Sequence, residues 1–413
     1  MQAIFLCEVY SIFKSRRPPL QFSKNFEEIY RTLADDPEAL TQETMSPLTD
    51  GPAQICATQP GDYGEDPNGG MIINRDGKCK QRLLLACYIL DQQHATLFGR
   101  PQTTCLSTSA QQLPFSRSQQ FWDAPPEQQV EIRYRRTSSG IPWYDHVGEA
   151  MSAVQRMTAT SKKPHDAFRS LLMMACLTDS NNEHLSSDYA TVGITDIPPI
   201  LFAVEQTPRI RLAFHTFMLC KYTPVRDVLA VAGESWYMSE KLSSQNAYAA
   251  AQLIALNWAN GSTDPGFDFA TVKDQSLVEL ALYHARQILD IHRRHARTGL
   301  LFQEWSIYLA SVVVWARAYV TSTEPRQKPQ RSIPAPNEPR PALIELERSV
   351  TAFINAAPLT TLTWSEVKNI LLWTKTKIEK VDMPHNCGLT NGALDVLGKL
   401  VTRGAEQGWF GDL

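Results

Sequence analysis

FLCEVYSIFKSRRPPLQFSKNFEEIYRTL (residues 5–33) and RLLLACYILDQQHATLFGRP (residues 82–101) place apolar side chains three and four residues apart. That is the period of helices laid on a core. Over residues 2–14, Ile4, Phe5, Tyr10, Ile12 and Phe13 are expected to face inward. Arg17-Pro18-Pro19 stops this helix, since proline lacks an amide hydrogen and drives the residue before it out of the helical region. Ser23 stands where an N-cap belongs, ahead of Phe26, Ile29, Tyr30 and Leu33, and Asp35-Asp36-Pro37 ends the second helix. A further helix runs from about Lys80 to Phe98, with Leu84 and Leu90 as expected core anchors.

Working outward, residues 41–79 and 99–142 are rich in Gly, Pro, Ser and Gln and read as loop or irregular inserts. Helical periodicity returns after Asp145. Helices are expected near 146–158, 164–178, 198–221, 224–239, 243–260, 275–297 and 302–321, then 341–357, 364–380 and 389–408. Thr223-Pro224 looks like a cap followed by proline at the first helical position. Ser276-Leu-Val-Glu279 and Thr363-Trp-Ser-Glu366 have capping-box spacing. The expected fold class is all-α: a bundle-like, multi-helix body over residues 1–320, a Pro-rich linker over 321–341, and a C-terminal helical segment over 342–413.

The chain has 413 residues, is 43% hydrophobic and has a formal net charge of −3. It can bury a sizeable core, and it lacks the basic excess of a free-standing DNA binder. Its eight cysteines (Cys7, Cys56, Cys79, Cys87, Cys105, Cys176, Cys220 and Cys387) show no zinc-knuckle spacing. Cys7, Cys87, Cys176 and Cys220 are expected to be buried, reduced thiols. No positive region precedes the apolar start, and Ser311 and Arg317 interrupt the apolar run Ile307 to Val320. A soluble protein without membrane association is expected.

In order along the chain come Leu6 to Tyr10, the basic bend Lys14-Ser-Arg16-Arg17, and Ser23 with Phe26 and Tyr30. Arg82-Leu83-Leu84 through Leu90-Asp91 follows, then Leu113-Pro114, Trp122-Asp123-Ala124, Tyr283-His284-Ala285 and Ala310 to Ala316. This order resembles the regulatory "middle homology" domain of fungal zinc-finger transcription factors, closest to those with two-Cys two-His fingers. The sequence departs from that family in two places. It holds no finger ligands, and residues 60–80 lack the family's Trp-rich acidic approach to the Arg-Leu helix. The resemblance implies a nuclear transcriptional regulator, not an enzyme, governing a metabolic or secondary-metabolite gene set through an effector- or partner-responsive domain. Implied partners are the transcription machinery or another transcription factor, in a homodimer or heterodimer. Promoter DNA would be reached only through another module, and zinc would belong to that module. The alternatives are a stand-alone interaction module without DNA binding and, least favoured, an all-helical enzyme.

No catalytic, cofactor-binding or metal residue is assigned. His284, His292 and His295 share a stretch with Arg286, Arg293, Arg294 and Arg297, but no Cys or Glu completes a metal-ligand set on that stripe, so they read as a solvated basic face. Asp35-Asp36-Pro-Glu38 has a later partner cluster only in Asp179 to His184, and reads as helix punctuation. His94 with Asp91 reads as a satisfied surface histidine, because no nucleophile motif accompanies it. Arg133-Tyr-Arg135-Arg136 is a short basic cluster without further context. Trp236, Tyr237, Met238, Trp258, Trp305, Tyr308 and Trp315 are expected in the helical core.

Overall fold

The computed structural model describes residues 1–15, 19, 21–40, 75–103, 106, 112–115, 122–125, 128, 146–155, 166–178, 207–233, 236–237, 240–241, 245–261, 277–321, 342–357, 362–380 and 387–403. The helices are α1 (Gln2–Lys14), α2 (Lys24–Ala34), α3 (Pro37–Leu40), α4 (Arg75–Phe98), α5 (Val147–Gln155), α6 (Ala167–Thr178) and α7 (Pro208–Lys221). They continue as α8 (Val225–Val231), α9 (Gln245–Asn260), α10 (Leu277–Arg294), α11 (Gln303–Thr321), α12 (Leu343–Asn355), α13 (Trp364–Lys380) and α14 (Gly388–Arg403). The fold is all-α. Among the described residues the β pairings are a two-residue antiparallel pairing of β1 (Trp236–Tyr237) with β2 (Glu240–Lys241) and an isolated antiparallel bridge between Pro114 and His146.

At the centre lies α11, buried at every position from Gln303 to Ala316. It packs against α7, α8, α9, α10, α13 and α14. Val312-Val313-Val314 is a poor helix-forming run, and enclosure on all sides overrides that preference. Around it, α10 also meets α7 and α12, while α4 meets α1, α2, α3, α6, α7 and α8. Buried side chains from α1 to α14 join in one continuous core. Leu84, Leu90 and Trp315, the expected anchors, are all within it.

Several local expectations are present as written. Ser23 caps α2 by accepting the Phe26 amide at 3.2 Å. Thr363 accepts the Glu366 amide at 3.3 Å, and the Glu366 carboxylate accepts the Thr363 amide at 2.8 Å, closing the capping box of α13. Asp35 sits at the C-cap of α2. Asp36 accepts the Glu38 amide at 2.9 Å, and both carboxylates engage Lys80 Nζ, at 3.0 and 3.1 Å, so this punctuation also pins α3 to α4. Ser276, the other expected cap, lies outside the described residues.

Other expectations need correction. Tyr10 and Cys7 are exposed on the outer side of α1, whereas Glu8 is buried on the opposite side. The Glu8 carboxylate accepts both the amide (3.0 Å) and the hydroxyl (2.6 Å) of Ser23, so an apolar-looking helix is held by its one acid. α4 begins at Arg75, ahead of the expected start. α7 begins at Pro208 behind the cap Thr207, and α8 begins at Val225 with Pro224, not Thr223, at the N-cap. The expected helix over 224–239 ends at Val231, because Gly233 takes φ +100°, the left-handed stop that glycine supplies. Trp236 and Tyr237 therefore sit in the β pairing, and Met238 lies outside the described residues. Also outside them are Arg16 and Arg17, Cys56 and Cys105, residues 179–184, residues 133–136, and most of the inserts and linker expected at 41–79, 99–142 and 321–341.

Leu84→Ala should lower the unfolding free energy by about 2–5 kcal/mol with an unchanged denaturant slope, while Thr363→Ala should cost ~1 kcal/mol. Both are read from urea titrations followed by circular dichroism.

Candidate functional site: a polar interior around α4 and α10

Arg82, early in α4, joins two elements that the sequence keeps far apart. Its guanidinium lies over the Trp122 ring at 4.9 Å and the Phe168 ring at 5.1 Å. A planar cation lying over two aromatic rings gains attraction from both ring faces. Asp123 and Asp166 add attraction. The Arg-Leu helix, the Trp122-Asp123-Ala124 segment and α6 thus meet at one side chain.

Further along α4, Asp91, Gln92, Gln93 and His94 are all buried. Consecutive helical residues point 100° apart, so four buried in a row mean the helix is covered on every side. Asp91 accepts the amide and hydroxyl of Thr103 at 3.1 and 2.6 Å, and Gln92 accepts from the Gln102 side chain at 2.8 Å. Residues 102–103 therefore fold back across the helix that precedes them. His94 is not the surface group expected. It packs between the rings of Phe22 (4.7 Å) and Phe98 (5.4 Å), and its Nε2 finds no partner among the described residues. Burial, assisted by Arg100, pushes its pKa down to about 4.

The helix ends at Phe98, and Gly99 adopts φ +58°. A Cβ there would sit 3.1 Å from both Cβ and N of Arg226, in the first turn of α8. Glycine is needed for the backbone conformation and for the close approach. Trp305 of α11 donates its indole N–H to Leu97 O at 3.1 Å, covering a carbonyl that the helix end leaves open.

α10 corrects the solvated-face expectation for two of its three histidines. His284 and His292 are buried, whereas His295 lies past the helix end and is exposed with Arg293 and Arg294. Arg293 and Arg294 both pair with Asp290. His284 Nδ1 lies 2.9 Å from His215 Nδ1 of α7. Two neutral imidazoles bond this way when one carries its proton on Nδ1 and the other accepts. The Tyr222 ring stacks on His284, and Phe214 meets both rings edge-on. Burial holds both histidines well below their ordinary pKa. His292 Nε2 lies 3.1 Å from Ser306 Oγ, whose hydroxyl donates to Gln303 O at 2.6 Å. The imidazole therefore donates from Nε2, and burial sets its pKa to about 3.

The signal for these positions was in the sequence. Ala281, His284, Ala285, Ile288, Ile291 and His292 form a single i, i+3, i+4 stripe, so two histidines ride on an apolar face. Asp91 to His94 carried no such signal, because a helix covered all round has no stripe. The arrangement joins helices with neutral polar groups. Among the described residues, no three His, Cys, Asp or Glu side chains are placed to hold a metal, and no helix is long and apolar enough to cross a membrane.

Residues 74–188 match the family described as the fungal specific transcription factor domain. The match takes in α4, the Trp122 segment, α5 and α6, and so the Arg82 clamp and the polar run Asp91 to His94. It supports a regulator of the fungal transcription-factor type and points away from catalysis. No curated protein and no solved structure matches the chain.

The buried histidines give stability a definite pH dependence. They are neutral when folded and take up protons when unfolded, so stability is full above pH ~6.5 and falls as pH drops toward the folded values, about 4 for His94 and about 3 for His292. Urea midpoints should decline steadily between pH ~6.5 and ~4.5. Near neutral pH, His284→Leu should cost ~1–3 kcal/mol by orphaning His215 Nδ1, whereas His94→Leu, which removes an already unpartnered nitrogen, should cost less. A flat profile across that acid range, or the reverse order of the two variants, would contradict these protonation states.

Proposed function

We propose that this chain is the regulatory part of a fungal transcription factor, working in the nucleus by a change of conformation or partner and not by catalysis. The match over residues 74–188 carries this reading. The packing around α4 supports it. This helix lies against α1, α2, α3, α6, α7 and α8, so a ligand or partner that altered its surroundings would be felt across the body. Contact with promoter DNA, and the zinc for it, would belong to a module outside these residues, on the same polypeptide or on a partner factor. The net charge of −3 favours that division. The same charge also supports a second reading, an interaction module that acts on other factors without any DNA contact.

Fusing the full chain to a heterologous DNA-binding module in a fungal host tests the proposal. Reporter output should differ severalfold, in either direction, from that of the module alone, and a fluorescent fusion should concentrate in the nucleus. Unchanged output from an expressed, nuclear fusion would overturn the regulatory reading. In gel-shift assays the purified chain should show no sequence-dependent nanomolar affinity for duplex DNA.

A further inference from the structure

Glu8, the acid of α1, is 4% exposed, yet the residue it is bonded to stands in the open. Its Oε1 accepts the Ser23 amide at 3.0 Å and its Oε2 accepts the Ser23 hydroxyl at 2.6 Å. Ser23, on extended backbone at the N-cap of α2, is exposed, as are Gln21, Lys24 and Asn25. A carboxylate this deep is stable only while its donors meet it. Thr103 bonds Asp91 in the same manner, but Thr103 is half-buried, and Thr363 bonds Glu366 within its own cap. Of these three hydroxyls, that of Ser23 combines exposure with a buried carboxylate on another helix.

We propose that Ser23 is a phosphorylation site whose phosphate releases α1 from α2. In the transfer, Ser23 Oγ bonds to the γ-phosphorus of a nucleoside triphosphate held by a protein kinase. The bond from that phosphorus to the nucleoside diphosphate breaks, and the hydroxyl proton passes to the kinase's catalytic base. Two things then change at Glu8. The ester oxygen carries no hydrogen, so the 2.6 Å bond loses its donor. A group of charge about −1.5 to −2 also stands against the buried carboxylate. Glu27, in the first turn of α2, adds to the repulsion, and Lys24 offsets part of it. The phosphate is favoured at the head of α2, whose first amides attract anions, so α2 stays and α1 leaves. The effect reaches α4. Phe13 of α1 packs against Phe98 and Phe302, and Phe22, next to Ser23, packs on His94. The consequence for transcription rests on the regulatory reading above, whereas the release of α1 does not.

Recovered from a fungal host with phosphatases inhibited, the full chain should carry phosphate at Ser23 in peptide mass spectrometry. The full chain with phosphoserine placed at position 23 during translation is then compared with the unmodified chain by amide hydrogen exchange. The α1 amides should exchange about tenfold faster or more, while α10 and α11 keep their protection and report an intact body. Glu8→Gln removes the opposing charge and still offers the Ser23 amide an acceptor. In that background phosphoserine should change α1 exchange by less than about twofold. No phosphate at Ser23, unchanged α1 exchange with phosphoserine in place, or equal release in Glu8→Gln would overturn the proposal. Exchange reads α1 directly, so each of these failures is distinct from a failure of the regulatory reading, which the reporter fusion tests.

Discussion

A helix that ends inside a protein leaves its last carbonyls without intrahelical partners, and burying them bare costs roughly 1–3 kcal/mol each. In this chain the open ends are closed by donors from other helices. Trp305 of α11 covers Leu97 at the end of α4, Lys221 covers Leu177 at the end of α6, and Trp258 covers Tyr222 at the end of α7. Arg317 covers Ala259 near the end of α9, and Arg286 covers Ala357 just beyond α12. Each of these helices therefore ends where another helix supplies a proton, and helix lengths are tied to the packing. Lys221 carries a cost for this role, its pKa pushed down to about 8 by burial.

The polar groups of the core follow the same logic sideways. Ser311 and Thr374 join α11 to α13 across 2.6 Å, and His215 and His284 join α7 to α10. Neutral groups in close contact avoid the desolvation penalty of buried ion pairs and still fix the register in which two apolar helices meet. An apolar seam alone tolerates sliding, whereas an imidazole pair at 2.9 Å does not.

The helical class, the burial of most of Ile307 to Val320, and the caps at Ser23 and Thr363 were legible in the sequence, because each rests on neighbours within one or two turns. What could not be read depends on distant residues. His284 looked solvated because Arg286 and Arg293 flank it, and only its place on the Ala281–Ile288 stripe argued otherwise. Glu8 interrupts an apolar run, and only the position of Ser23 beside it explains its burial. Asp91 to His94 had the composition of a surface turn of helix, and nothing within α4 foretells that Phe22 and Thr103 cover it. Gly233 was a readable stop that the expected helix at 224–239 overran.

The bond from Cys387 to Phe13 spans 374 positions of the chain. During synthesis α1 leaves the ribosome before every other helix described here, yet the groups that close its end come only with α14. At typical translation speeds of ~5–20 residues per second, that is a wait of roughly 20–75 s. Throughout it α1 carries open carbonyls and an apolar side not yet covered by α14. The nascent protein thus has a long window in which its first helix is available to chaperones, and a chain cut short before Cys387 would leave that window permanently open.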